Sequence, residues 1–189
     1  MKWVIKYWAT FGGIIAIAII LCIPLTHQKI ADIHTVSWLH VVTLLLHQFE
    51  EYVYPGGFKE FFNQNIYNRN PIIRFPLNDK GVLFINVVLG WTAYLISAIY
   101  GDQLLWLLFG LLGVTLLNGI LHTFLFVYQK KYNPGFFTAC FVMIPFSAYM
   151  FIQIQSFLSR DVIHTGILVF IVGMALIPTF IFLTNSFRK

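Results

Sequence analysis

Long apolar runs alternate with short polar breaks along this chain. The apolar runs cover about residues 4–25, 34–54, 81–100, 103–128, 136–157 and 162–183. Each is close to the roughly 20 residues a helix needs to cross a bilayer core. The breaks carry helix punctuation. Pro55-Gly56-Gly57 ends the second run, since proline cannot continue a helix and glycine suits its end. Only Gly101-Asp102 separates the third and fourth runs, so these helices are expected to be antiparallel neighbours. Asn133-Pro134-Gly135 is a helix-start signal before the fifth run, and Pro145 predicts a kink within it. Lys2 and Lys6 before the first run imitate a signal peptide. That run is longer than a usual signal-peptide core and lacks a clean small-residue cleavage site, so a retained helix is expected. The predicted fold class is all-α, one transmembrane domain over residues 1–189 built as a six-transmembrane-helix bundle.

Composition supports a membrane protein. Hydrophobic residues are 59% and charged residues 10%, against about 25% charged in soluble domains. The net charge of +5 does not point to nucleic acid, because the basic residues fall in the loops. Their distribution sets orientation instead. With six spans, ten of the twelve lysines and arginines lie on one side, and only Lys29 and Arg160 on the other. The positive-inside rule then puts the N and C termini and the long loop of residues 57–80 in the cytoplasm of a multi-pass cell (plasma) membrane protein. That loop begins with an aromatic, charged segment, residues 58–67, expected to lie flat among lipid head groups. Cys22 and Cys140 sit inside apolar runs without ligand spacing and read as packing residues.

One stretch breaks the apolar pattern. The second run contains His40, His47, Glu50 and Glu51, and an ionisable group inside a bilayer is expensive enough to be a functional hypothesis by default. His47 shares a helix face with Glu50 at i+3 and Glu51 at i+4. The fourth run, which also heads inward, carries Asn118 and His122 one turn apart. His47 and His122 fall roughly 10 Å below the cytoplasmic end, and Asn86 of the third run about 8 Å in. Asn133 and Thr138 open the fifth run from the same side. Polar residues of four helices therefore collect in one layer of the cytoplasmic leaflet.

A histidine and a carboxylate one turn apart offer nitrogen and oxygen donors to one point, as in helix-bundle metal sites. His47, His122 and one of Glu50 or Glu51 make a two-histidine, one-carboxylate set. It suits a divalent metal ion, zinc before iron. Shared ligation requires the two histidine nitrogens to approach within about 4 Å. The Glu pair also stands at a helix C-terminus, where the macrodipole disfavours negative charge. It needs a metal ion, a histidinium, or Lys59, Arg69 or Arg74 as compensation.

The sequence His47-Gln48-Phe49-Glu50-Glu51, continued by Tyr54-Pro55-Gly56-Gly57-Phe58, resembles the signature of the HXXEE-motif family of small bacterial integral membrane proteins. Asn118-x-x-x-His122 and Tyr132-Asn133-Pro134-Gly135-x-x-Thr138 extend the resemblance over roughly residues 34 to 140. It implies His47, Glu50, Glu51, Asn118, His122, Asn133 and Thr138 as the residues of interest, and supplies no mechanism.

The expected function is a metal-dependent, hydrolase-like membrane enzyme acting on a lipid or other apolar substrate. In it, His47, His122 and one Glu hold the ion, and the other Glu acts as general base. His40, Asn86, Asn118, Asn133 and Thr138 are second-rank or substrate-binding candidates. Arg69, Arg74, Lys130 and Lys131 would steer an anionic head group. The bared N–H groups after Asn133-Pro134-Gly135 are a further place for that head group. Two rivals remain. One is a structural or partner-binding protein whose His/Glu cluster locks helices together. The other is a proton- or metal-coupled transporter, which needs a polar path to both faces where the outer halves of the spans offer few polar groups.

Overall fold

The computed structural model describes residues 2–26, 32–68 and 75–186. Among these residues all regular structure is helical. Helix α1 (Lys2–Cys22) is continued by a 3-10 turn, Ile23–Thr26. Next come α2 (Ile33–Tyr52) and α3 (Phe58–Phe62), the latter followed by a π turn, Asn63–Tyr67. Helix α4 (Asp79–Leu83) runs through a π-helical stretch, Phe84–Trp91, into α5 (Thr92–Tyr100). After α6 (Leu105–Gln129), α7 (Phe136–Thr138) passes through the π stretch Ala139–Met143 into α8 (Ile144–Ile154). Helix α9 (Arg160–Ser186) closes the chain. The π stretch ends against Pro145, which has no N–H to donate back to the preceding turn.

Four helical stretches are long and apolar enough to cross a membrane: Trp3–Leu25, Asp79–Gln129, Phe136–Phe157 and Arg160–Ser186. This is the make-up of a membrane protein. The second stretch contains a reversal at Gly101. The Tyr94 hydroxyl lies 2.6 Å from that of Thr115 and donates to the Leu111 carbonyl at 3.5 Å, so α5 and α6 are antiparallel.

Helix α2 is less apolar than these four and more enclosed. It packs against α1, α5, α7 and α8, and its polar side chains Ser37, His40, Thr43, His47, Gln48, Glu50 and Glu51 are all buried. Apolar surface is turned outward elsewhere, as at Ile14 and Ile17 of α1 and Leu168 and Ile171 of α9. The polar helix is thus enclosed by the apolar ones, an arrangement that makes polar groups tolerable at membrane depth.

Two contacts fix α6 beside α2. His40 Nε2 lies 2.7 Å from Thr115 Oγ1, and seven residues further along both helices the rings of His47 and His122 meet at 4.9 Å. The two helices therefore run parallel, in register over two turns. On its other side, α6 meets the α7–α8 rod at Gly119. A Cβ there would stand 2.9 Å from Ile144 and 3.3 Å from the Ala139 carbonyl, so a side chain would push the two elements apart.

The segment after α3 is clasped back onto the bundle. Asn63 donates to the Leu77 carbonyl at 2.9 Å and accepts from the Leu77 N–H at 2.8 Å. This puts Leu77 into a core of Trp8, Ala9, Val82 and Ile181.

Candidate metal centre

Helix α2 delivers His47 and Glu51, and α6 delivers His122, to one buried point. Glu51 Oε1 lies 3.6 Å from His47 Nε2 and 3.3 Å from His122 Nε2. The ligand atoms of all three residues fall within 4.8 Å of one another. A tetrahedral ion with bonds of about 2.0–2.1 Å wants its ligands about 3.3–3.4 Å apart. The two carboxylate–imidazole gaps match. The gap between the imidazole nitrogens, at most 4.8 Å, closes by a ring movement of about 1.5 Å or less. His47, Glu51 and His122 are 1%, 5% and 3% exposed, so the point is sealed from bulk solvent.

The outer nitrogens of both rings are committed. His47 Nδ1 lies 2.9 Å from Thr138 Oγ1. The single proton of that hydroxyl goes to Glu50 Oε2 at 2.6 Å, a nearer acceptor than the Gly135 carbonyl at 3.2 Å. His47 therefore donates from Nδ1, and its Nε2 carries the lone pair. Asn133 does the same for His122. Its Nδ2 donates to the His122 carbonyl at 3.0 Å, which fixes the amide orientation and turns Oδ1 toward His122 Nδ1 at 2.7 Å. Both imidazoles thus aim an Nε2 lone pair at the same carboxylate oxygen. His47 Nε2 has a donor in the Asn118 amide at 3.0 Å, whereas His122 Nε2 and Glu51 Oε1 face one another at 3.3 Å in a dry site, which requires a cation or a proton between them.

Glu50 stands one step behind the trio. Its Oε1 accepts from the Tyr132 hydroxyl at 2.9 Å and the Phe137 N–H at 3.0 Å, and its Oε2 from both the N–H and the hydroxyl of Thr138 at 2.6 Å. The difficulty of a carboxylate at the end of α2 is resolved by placing it over the first N–H groups of the α7–α8 rod, where the dipole favours negative charge. Those N–H groups, expected from sequence to be bared for a head group, are taken by Glu50. Burial and the hydrogen bond to Glu50, reinforced by the Glu50 charge, raise the Tyr132 hydroxyl above the ordinary phenol range.

Gly135 closes the remaining side of the trio. Its φ is +97°, and a Cβ on it would lie 2.7 Å from His47 Cε1, 2.8 Å from His122 Cε1 and 3.0 Å from Glu51 Cγ. Only glycine combines that conformation with such an approach. In the sequence it reads as part of a helix start. A positive-φ requirement beside a His/Glu motif is the signal that could have marked it as a site residue. Phe58 covers His122 from another direction, with ring centroids 5.5 Å apart.

The other sequence candidates fall in different places. Asn118 reaches the trio, its Nδ2 donating to His47 Nε2 at 3.0 Å. His40 lies two turns away and belongs to a separate buried group with Thr115 and Tyr94. Asn86 also stays apart, because it faces another side of α2, accepting from Gln48 at 3.1 Å and donating toward Tyr52 at 3.4 Å. Gln48 in turn accepts from Trp91 at 2.7 Å. Lys59 pairs with Asp79 at 2.6 Å and Glu60 at 3.4 Å, and so does not compensate the Glu pair. Its hydrogen bond to Asp79 raises its pKa. Lys130 and Lys131 are exposed at the end of α6. Arg69 and Arg74 lie outside the described residues.

A family model described as a protein of unknown function with HXXEE motif matches residues 38–150. The chain belongs to this HXXEE-motif family. The matched region takes in His47, Glu50, Glu51, Asn118, His122, Asn133, Gly135 and Thr138, every residue that builds the trio and its immediate supports. Neither the curated proteins nor the solved structures include a match to the chain.

Proposed function

We propose that this HXXEE-family protein is a six-span membrane enzyme, with both termini in the cytoplasm, that binds one divalent metal ion through His47, Glu51 and His122. The observation that carries the proposal is the convergence of two Nε2 lone pairs on Glu51 Oε1, with each Nδ1–H held from behind. Such rear hydrogen bonds fix ligand tautomer and raise ligand basicity in metal sites. Zinc suits the two-histidine, one-carboxylate donor set, with iron second. An ion there would supply Lewis acidity for hydrolysis of an ester or phosphoester.

The chain's own residues take defined parts. Thr138 and Asn133 orient the two imidazoles, and Glu50 holds Thr138. Asn118 donates to His47 Nε2, so coordination requires its amide to turn aside, which frees a donor for substrate. Glu50, with four hydrogen bonds, is an orienting group rather than a free base. Glu51 is left as the carboxylate able to take a proton. The burial of the trio and the apolar surroundings favour a lipid or other apolar substrate drawn from the cytoplasmic leaflet.

A second reading is favoured by the Asn118 contact, which already satisfies His47 Nε2. In it the trio is a helix-locking network, with a proton between His122 and Glu51. Metal analysis of the purified protein separates the two. The enzyme reading expects about one zinc or iron per chain in wild type and little in His47→Ala or Glu51→Gln. Equal trace amounts in all three would leave the helix-locking network.

A further inference from the structure

Among the described residues, two buried side-chain atoms have no hydrogen-bond partner, Ser97 Oγ and Ser147 Oγ. Both fall in the part of the bundle that holds His40, Thr115 and Tyr94. Ser97 lies one turn from Tyr94 on α5. Ser147 follows Phe146 on α8, whose ring stacks on that of His40 at 5.6 Å.

Helix register places Ser147 beside Thr115. The buried strip of the α7–α8 rod reads Met143, Ser147, Met150 and Ile154, and that of α6 reads Leu108, Leu112, Thr115 and Gly119. The two strips run antiparallel. A Cβ on Gly119 would stand 3.4 Å from the Met143 Cβ. At the other end Leu108, Leu112, Met150 and Ile154 share one core. Between these contacts Thr115 and Ser147 fall level, near the middle of both helices, and both are completely buried. A Thr–Ser pair has roughly three fewer side-chain heavy atoms than the Leu112–Met150 pair one turn away, a difference on the order of one or two waters in volume.

Chemistry selects the ligand. Thr115 Oγ1 has one proton and two lone pairs. It lies 2.7 Å from His40 Nε2 and 2.6 Å from the Tyr94 hydroxyl. The proton serves one of these contacts and a lone pair the other, so one lone pair is left. Ser147 has a proton to give. A buried hydroxyl without a partner is costly, and a ligand that accepts from Ser147 and donates to Thr115 removes that cost. The group contains no carboxylate, lysine or arginine, so an ion would lack a counter-charge. Tyr94, its most exposed member, is 5% exposed, so the ligand is also small.

We propose that an internal water molecule is bound between Ser147 and Thr115. It accepts the Ser147 hydroxyl proton and donates to the remaining Thr115 lone pair. The His40–Thr115–Tyr94 group thereby gains a fourth helix, and α2, α5, α6 and α8 are joined by one polar hub. Metal ligation by the trio plays no part in this assignment.

The test is hydroxyl-radical labelling by a synchrotron X-ray pulse, on the full chain in nanodiscs, read by mass spectrometry. Radicals form from the bound water itself, so buried side chains beside it are oxidised and equally buried dry ones are not. Tyr94, Met143 and Met150 should be oxidised in wild type, while Leu108 and Ile154 stay unmodified. Oxygen-18 water mixed in shortly before the pulse should label exposed Tyr128 at once and Tyr94 late. Ser147→Val fills the space and deletes the donor, and should abolish oxidation of Tyr94 and Met150. Ser147→Ala is the milder companion if valine prevents folding, and should lower both. Tyr94 as unmodified as Ile154 in wild type, oxygen-18 reaching Tyr94 as early as Tyr128, or unchanged oxidation in the folded Ser147 variants overturns the proposal. The first of these outcomes would mean that the Ser147 hydroxyl turns back to the Met143 carbonyl of its own helix.

Discussion

Asn133 accepts the Nδ1 proton of His122 at 2.7 Å while returning its own amide proton to the His122 carbonyl at 3.0 Å. Both residues are buried, Asn133 completely, so the pair fixes one tautomer of the ring without help from solvent. Asn133→Ala removes the acceptor and leaves a buried donor unmatched. The expected result is a loss of about 1–3 kcal/mol in stability and a drop of about 10–100-fold in metal affinity. Thermal unfolding in detergent and competition with a chromogenic chelator measure the two.

Thr138 links Glu50 to His47, and two variants separate its roles. Thr138→Val keeps the shape and the backbone N–H bonded to Glu50 but deletes the hydroxyl relay. It should weaken metal binding about 10-fold or more with a modest effect on folding. Glu50→Gln places an amide opposite four donors and should cost more stability, about 1–3 kcal/mol. If Thr138→Val bound metal as tightly as wild type, the relay would have no part in holding the ligand.

Gly135→Ala adds a methyl group where three site side chains already stand within about 3 Å of the Cβ position, at a φ of +97°. Backbone strain of this kind costs about 1–3 kcal/mol, and the clash displaces His47 and His122. The variant should unfold at lower temperature and lose metal together. Gly57→Ala is the contrast, since its Cβ meets nothing within 4 Å although φ is +91°. It should show the backbone cost alone and retain metal.

His40→Phe tests whether the upper polar group is separate from the trio. His40 bonds to Thr115, which bonds to Tyr94, and none of these contacts reaches His47. Loss of the bond should destabilise by about 0.5–1.5 kcal/mol with metal content unchanged. A loss of metal in this variant would mean that the two groups work as one path through the membrane, as a transporter requires.

Tyr132 gives a pH dependence outside the membrane-spanning segments. Its folded value is raised by burial, by the hydrogen bond to Glu50 and by the Glu50 charge. The folded state therefore binds this proton more tightly than the unfolded state. Its contribution is complete below the unfolded value of about 10 and is lost as pH rises through the folded value. Tyr132→Phe should flatten the alkaline limb of the stability curve relative to wild type. A parallel limb would show that the Tyr132–Glu50 bond contributes nothing there.

Much of this protein was legible from periodicity alone. The apolar runs match the helices α1, α2, α6 and α9 to within a few residues, because helix length and punctuation are local properties. The parallel course of α2 and α6, and with it the approach of His47 to His122, followed from counting reversals between them. The family motif marked the same residues.

Tertiary structure decided what local rules could not. Glu50 and Glu51 are neighbours of one chemical type, one and the other a turn from His47, and spacing gave them equal standing as ligands. Their directions differ by about 100° around α2, so one meets the N-terminus of the α7–α8 rod and the other meets two imidazoles. Asn86 and His40 lie at plausible depths, yet depth is one coordinate and the helix face is another. Asn86 points to Gln48, and His40 stops at Thr115. Gly135 has no side chain to announce chemistry, and its part appears only when three side chains from two other helices crowd its missing Cβ. The chain by itself determined the helices, their order and the layer in which polar groups meet. Which of those groups touch was decided by rotation about each helix axis, a property of packing between segments far apart in sequence.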